Sequence, residues 1–249
     1  MAGHSKWANI KHKKGRQDAK RGKMFTRLGK EITISAREGG GDPEANPRLR
    51  LAIQNARSVN MPNDNITRAV KKGTGEIEGV NYEEVTYEGY APDGIAIIIE
   101  AVTDNKNRTV SEIRSLFGKL GGNLGETGSV AWNFDRKGVI NIKTAGKSEE
   151  ELMDAVIEAE AEDLEYGDEI SRVICPMEDF GNVNHYFDES EYEVGESKLE
   201  YVPKTTVKIS DANTAQKIIK FIEAFEDHDD VQNVYANFDI EDKVAEELA

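Results

Sequence analysis

The feature that most constrains this chain is a change in hydrophobic periodicity near residue 80. Before that point, apolar residues recur every three or four positions, which is typical of amphipathic helices. After it, runs of β-branched and aromatic residues alternate with helical segments, which indicates a body of sheets and helices. The 249 residues, 38% of them hydrophobic, are enough for more than one core. The pattern predicts a multidomain α+β protein with its helical part first.

The first 80 residues predict a three-helix bundle. One face of the first helix carries apolar residues at spacings of three and four: Phe25, Leu28, Ile32 and Ala36. The opposite face carries a basic stripe, which Ile34 interrupts: Arg16, Lys20, Lys23, Arg27 and Lys30. After a run of glycines, Asp42 and Pro43 are predicted to start the second helix, and Pro62 to lie in the first turn of the third.

Charge is unevenly distributed along the chain, whose formal net charge is -15. Residues 1–80 contain 17 Lys and Arg against 8 Asp and Glu, whereas residues 81–249 contain 15 against 39. A basic end on an acidic body predicts contact with a phosphate backbone. The competing interpretation is a solvated helix face, but acidic partners at i+4 are nearly absent from the stripe.

The candidate nucleic-acid contacts lie in an N-terminal arm without clear periodicity and in the basic stripe. The candidate phosphate contacts are Lys6, Lys11, Lys13, Lys14, Arg16, Lys20, Lys23, Arg27 and Lys30. Trp7 and His12 lie among these residues and can stack on bases. Trp7 can equally be an apolar anchor that pins the arm to the bundle.

The segment after residue 80 predicts a sheet that starts with a hairpin. The strands "EEVTYEGYA" and "GIAIIIEAV" flank the turn Pro92-Asp93-Gly94, a helix follows, and "GSVAWNF" is predicted to be a third strand. Residues 137–203 then have the β-α-β-β-α-β order of a ferredoxin-like domain. The β-α-β elements after residue 203 would complete the first sheet.

This order predicts an inserted domain. The predicted division is a basic helical domain at 1–80, a discontinuous α+β domain at 81–136 plus 204–249, and an inserted ferredoxin-like domain at 137–203. The insertion explains why the last elements do not form a compact unit by themselves.

The segment "TDNKNRT" lies between a predicted strand and a helix N-terminus, where backbone N–H groups attract anions. It forms a candidate loop for phosphate or for a partner's carboxylate: Asn105, Asn107, Arg108 and Thr109. The alternative is structural, with Asn107 as the N-cap of the following helix.

Catalysis and cofactor binding have little support in the sequence. No GxSxG, Walker A or GxGxxG motif occurs, and the spacing of His4 and His12 matches no usual zinc pattern. We therefore predict a non-enzyme without cofactor or metal, although catalytic residues need not be adjacent in sequence. The single cysteine, Cys175, allows no intrachain disulfide, and no apolar run is long enough for a bilayer. The lack of a disulfide fits a reducing cytoplasm, so we predict a cytoplasmic protein.

Long motifs in the chain closely resemble the YebC/PmpR family. They include "MAGHSKWANIKHKK", "EGYAPDGIAIIIEA", "TDNKNRT" and "GGNLGETGSVAWNFDRKG", and the similarity runs from Met1 to about Gly138. The resemblance implies a three-domain fold with a helical N-terminal domain. It also implies a regulator without a catalytic site. Bacterial members are described as probable DNA-binding transcriptional regulators, a mitochondrial relative activates translation, and some members relieve stalled ribosomes.

We therefore predict a nucleic-acid-binding regulator of gene expression. The favoured function is regulation of transcription through DNA binding. The alternative is a ribosome-associated translation factor that contacts ribosomal RNA, and an uncharacterised enzyme is a further alternative. The Lys-rich stripe fits phosphate contact on either polymer. The acidic domains would repel nucleic acid and leave a surface for a protein partner, and no membrane role is expected.

Overall fold

The computed structural model describes the backbone of residues 17–248 and the side chains of residues 22–241, 243–245 and 247–248. It begins with three helices: α1 (Gln17–Gly39), α2 (Pro47–Ser58) and α3 (Asn63–Thr74). Within these residues, no helix combines the length and apolar character needed to cross a membrane.

The helical region is built around α1, against which both other helices pack. The predicted apolar faces are confirmed, since one cluster joins Phe25, Leu28, Ile32 and Ala36 to apolar residues of α2 and α3. At the crossing with α3, a Cβ added to Gly73 would lie 2.7 Å from the Cβ of Ala36. A glycine is therefore required there for the two helices to approach.

The start of α2 differs from the prediction. Asp42 accepts a hydrogen bond from the backbone N–H of Glu44 in a turn, and Pro43 does not begin a helix. Asn46 caps α2 instead: its side-chain oxygen accepts from the N–H of Leu49 at 3.1 Å, and Pro47 follows in the first turn. The Asn46 amide also donates to the carbonyls of Ser35 and Gly40. Asn46 therefore caps the start of α2 and also satisfies carbonyl groups at the end of α1.

A central four-stranded sheet follows, in the spatial order β3-β1-β2-β9. Its strands are β1 (Glu83–Tyr90), β2 (Ala96–Thr103), β3 (Asn123–Leu124) and β9 (Val231–Ala236). The predicted hairpin is confirmed, since β1 and β2 are antiparallel with Tyr90 opposite Ala96. Helices α4 (Lys106–Lys119) and α7 (Ala212–Glu226) cover one face of the sheet. Phe117, Phe221 and Phe225 contact one another in this core.

The predicted strand "GSVAWNF" is wrong. Residues 127–128 form a turn, residues 129–130 a bend and Ala131–Asn133 a 3-10 helix, and the strand begins at Phe134. The Glu88 carboxylate determines this shape because it accepts backbone hydrogen bonds from Gly128, Val130 and Ala131. These bonds lower the pKa of Glu88 even though its burial opposes ionisation. The hydrogen bonds that a strand would use are thus taken by a buried carboxylate.

A second four-stranded sheet has the order β5-β6-β4-β7, with every neighbouring pair antiparallel. Its elements in chain order are β4 (Phe134–Lys143), α5 (Glu149–Glu158), β5 (Asp163–Glu165), β6 (Ile170–Pro176), α6 (Phe180–Glu189) and β7 (Val194–Pro203). This is the predicted ferredoxin-like order. A separate apolar cluster lies between this sheet and its two helices.

The end of the chain returns to the central sheet. Beyond it, β8 (Val207–Ile209) and β10 (Phe238–Ile240) pair in parallel, and α8 (Asp242–Leu248) follows. The sequence predicts β-α-β after residue 203, but Asn237 divides the last of these strands into β9 and β10. Its side-chain oxygen accepts from the N–H of Ala96 at 2.7 Å, and its carbonyl accepts from the N–H of Val207. Asn237 therefore joins the central sheet to the two-stranded sheet of β8 and β10. Helix α8 was not predicted.

The multidomain α+β class is confirmed by this architecture, while the domain boundaries stay a prediction. The central sheet contains residues from both sides of the segment 137–203. Phe134 lies opposite Pro203 in the ladder between β4 and β7, so the two ends of that segment leave the sheet side by side. Tyr201 and Tyr235 pack across this junction with ring centroids 5.5 Å apart.

We expect the chain to fold when residues 137–203 are replaced by a short Gly/Ser linker, because the two flanking ends are neighbours. The shortened protein should retain strand signal by circular dichroism and one cooperative thermal transition. Its melting temperature should be lower than that of the full chain, since Tyr201 and the β7 contacts are lost. A chain without a cooperative transition would contradict the inserted-domain division.

Candidate nucleic-acid interface

The structure covers only part of the predicted basic surface. Seven of the predicted contacts lie outside the described residues: Lys6, Trp7, Lys11, His12, Lys13, Lys14 and Arg16. Lys20 lies in α1, but its side chain is not among those described. These residues stay predictions, and the structure reports on Lys23, Arg27 and Lys30.

Lys23 and Arg27 face the acidic body of the same chain. The Lys23 ammonium donates to the carboxylate and to the backbone carbonyl of Asp227, each at 2.8 Å. The Arg27 guanidinium donates to the carbonyl of Glu226. These contacts reach the last residue of α7, Glu226, and the residue after it, Asp227. The Lys23–Asp227 pair is largely exposed, so it contributes little stability by itself.

Lys30 is buried, with 8% of its surface exposed. Its ammonium donates to the carbonyl of Val102 at 3.0 Å, to the carbonyl of Asp229 at 2.9 Å and to the carboxylate of Asp230 at 3.2 Å. Three oxygens thus satisfy its three donors. The structure places Lys30 in a contact within the chain, and a role in binding phosphate would require that contact to open.

Asp230 is the acceptor at the centre of this contact. Its second carboxylate oxygen accepts from Thr103 at 3.1 Å, from Thr109 at 2.8 Å and from Arg108 at 2.9 Å. The Asp230 side chain is 8% exposed, and its other carboxylate oxygen pairs with the Lys30 ammonium. These hydrogen bonds lower the pKa of Asp230 to about 2, against the effect of burial.

The TDNKNRT loop therefore binds a carboxylate of its own chain. Arg108 and Thr109, two of the four predicted loop residues, donate to Asp230. Asn105 caps α4 by accepting from the N–H of Arg108, so the predicted cap at Asn107 is wrong by two positions. Asn107 is exposed, and its carbonyl accepts from Ser111.

The helical region also contacts the second sheet, through α2. Asn55 is buried, and its amide forms two hydrogen bonds with the backbone of Ser197 in β7, at 2.7 and 3.0 Å. The side chain thus takes the place of a neighbouring strand at the β7 edge. Gln54 donates to Asp188 in α6 beside it. The helical region is therefore held against both sheets by polar contacts.

Arg48 of α2 neutralises acidic groups where the helical region meets β1 of the central sheet. It pairs with Glu31 at 2.9 Å and Glu38 at 2.7 Å on α1 and with Glu84 at 2.5 Å on β1. These carboxylates raise the pKa of Arg48, although its partial burial acts in the opposite direction. Arg48 is therefore a structural cation that is engaged within the chain.

Five other cations, all on α2 and α3, are exposed and form no ion pair with a described acidic side chain: Arg50, Arg57, Arg68, Lys71 and Lys72. Arg50 does contact two backbone carbonyls. Arg50 and Arg57 are seven residues apart on α2, and the other three share the outer face of α3. Sequence reasoning overlooked this set. Their positions, beside the apolar face of α2 and opposite that of α3, were the available signal.

An open cleft of about 720 Å³ lies beside Asp230, between α4 and residues 227–230. His228 forms part of its wall. The backbone N–H of Asp230 donates to Nδ1 of His228, so the neutral ring has its proton on Nε2, which donates to Glu112 at 2.8 Å. Among the described residues, no three His, Cys, Asp or Glu side chains are arranged to hold a metal ion.

Acid should remove the contribution of Asp230 to stability. Its pKa is about 2 in the folded chain against about 3.9 for an unfolded aspartate, so the contact stabilises the fold above about pH 4. The contribution, about 2 kcal/mol, is lost as the pH falls toward 2. Urea unfolding of wild type and Asp230→Asn should therefore give stability curves that differ at pH 5 to 7 and converge near pH 2. Parallel curves would contradict this account of Asp230.

Comparison with known proteins identifies relatives over almost the whole chain. Residues 5–76 match the family described as TACO1/YebC protein N-terminal domain, and residues 82–238 match TACO1/YebC second and third domain. A probable transcriptional regulatory protein of Syntrophomonas wolfei is 57% identical over 247 residues, with 98% of each chain covered. One of Natranaerobius thermophilus is 54% identical over 249 residues, with 99% of each chain covered.

A crystal structure of a conserved hypothetical protein from Aquifex aeolicus has the same fold. It superposes with a TM-score of 0.85 at 48% identity and covers 90% of this chain and 93% of its own. These similarities confirm the family that the sequence motifs indicated. The chain belongs to the TACO1/YebC family.

Proposed function

We propose that this chain is a cytoplasmic, non-enzymatic regulator of transcription that binds DNA through its helical region and N-terminal arm. The observation that carries this proposal is the set of exposed cations on α2 and α3, which no described acidic group neutralises. Exposed Lys and Arg bind phosphates by releasing counterions, without contact to the bases. The description of the relatives as probable transcriptional regulatory proteins favours DNA as the polymer.

Charge distribution supports a single orientation of the complex. The acidic body, with 39 Asp and Glu against 15 Lys and Arg after residue 80, repels a phosphate backbone. Nucleic acid would approach from the helical side, and the acidic units would stay available to a protein partner. The Arg48 cluster and the Asn55–Ser197 contact hold α2 in a fixed position on that body.

Removal of the five exposed cations should weaken binding of a random DNA duplex and reduce its salt dependence. The changes are Arg50→Gln, Arg57→Gln, Arg68→Gln, Lys71→Gln and Lys72→Gln, which retain helix propensity. The slope of log K against log salt should become shallower by up to about 0.9 per lost contact, or roughly 4 in total. Fluorescence anisotropy over a series of salt concentrations measures it.

A matched control removes the same charge from the acidic body. It changes five exposed lysines to Gln: Lys119, Lys208, Lys217, Lys220 and Lys243. This control should leave the slope nearly unchanged, and an equal effect of both sets would show that net charge, not a site, governs binding. Sequencing of the nucleic acid that crosslinks to the protein in cells separates the polymers. Recovery of ribosomal RNA alone would contradict DNA as the target and favour the ribosome.

A further inference from the structure

One face of α1 is covered by an acidic segment of the same chain. Lys23, Arg27 and Lys30 recur at spacings of four and three, and all of them contact residues 226–230. This segment, with the sequence Glu-Asp-His-Asp-Asp, runs from the last residue of α7 to the residue before β9. Three successive cations of one helix face thus bind one short acidic stretch.

The acceptors in this stretch resemble those of a phosphate backbone. Lys23 and Lys30 each bind one carboxylate and one carbonyl of the segment, and Arg27 binds a carbonyl. Lysine and arginine use these same donors to bind phosphate oxygens. A donor that is committed to residues 226–230 is not available to a second anion at that moment.

We propose that this face of α1 is a polyanion-binding surface that the segment 226–230 holds closed, so that docking of α1 and binding of a phosphate backbone are mutually exclusive. The proposal deepens the proposed function and rests on it. DNA would bind this face of α1 when the helical region separates from the body, and residues 226–230 compete with DNA for the same face.

Burial along α1 indicates how the surface opens. The Lys23–Asp227 pair is exposed and is released at little cost, whereas Lys30 and Asp230 are both buried. Ile34, one turn beyond Lys30 on this face, is fully buried and lies outside the apolar cluster of the helical bundle. Opening therefore starts at the Lys23 end, and full separation exposes Ile34 and leaves Lys30 free for phosphate.

A covalent bridge across the contact tests the proposal directly. Lys23→Cys and Asp227→Cys place two thiols on exposed positions that face each other, and a short bismaleimide can bridge them. The natural thiol of Cys175 is buried and its pKa is raised to about 11, so it reacts slowly. The same double variant with both thiols capped by N-ethylmaleimide is the control, because it has the same charges without the bridge.

Anisotropy with a random-sequence DNA duplex should show binding to the bridged protein at least tenfold weaker than to the capped control. The salt slope of the bridged protein should be shallower by up to about 2, for the two remaining cations Arg27 and Lys30. DNA should also slow formation of the bridge, since the two events exclude each other. Equal affinity of bridged and capped protein would overturn the proposal and leave DNA binding by the exposed cations intact.

A second pair of variants opens the contact instead. Asp227→Asn with Asp230→Asn should bind the duplex several-fold more tightly than Asp154→Asn with Glu178→Gln, two exposed carboxylates of the second sheet's unit. An equal gain in both would show an effect of net charge and overturn the proposal. Absence of binding in wild type, capped protein and opened variant alike would overturn both this proposal and the proposed function.

Discussion

The position of the helical region on the body depends on the hydrogen bonds and ion pairs of the buried Asp230 carboxylate. This carboxylate joins Lys30 of α1, Thr103 at the end of β2, and Arg108 and Thr109 of α4. A buried carboxylate is stable only when it is paired and hydrogen-bonded, and here all four donors converge on it. Removal of one partner would leave uncompensated charge in the interface. The helical region is therefore positioned on the body by polar contacts whose geometry is specific.

The consequence for function is that the cations whose side chains the structure describes on α1, α2 and α3 include two groups. Lys23, Arg27, Lys30 and Arg48 are engaged within the chain, which fixes α1 and α2 on the acidic body. The exposed cations of α2 and α3 form no ion pair with a described acidic side chain. The acidic body thus binds one group of cations, and positive charge stays exposed on α2 and α3.

Local features of the fold could be predicted from the sequence, and contacts between distant residues could not. The pattern of apolar residues located the face of α1 that contains Ile32 and the strand that contains Ile99. Such patterns are visible in the sequence because burial repeats along an element. Glu88, however, shapes residues 128–131 from about 40 positions away, so "GSVAWNF" looked like a strand. Lys30 and Asp230 are separated by 200 positions. Ile34, an apolar residue within a basic stripe, was the one local sign that this face is covered.

The central claim is that Lys30 and Asp230 hold the helical region on the body, and a double-mutant cycle measures it most directly. Lys30→Met, Asp230→Asn and the double variant would be compared with wild type by urea unfolding at neutral pH. A buried pair of this kind predicts a coupling free energy of about 2 kcal/mol. A coupling within about 0.4 kcal/mol of zero would show that the two side chains act independently, and would contradict the account.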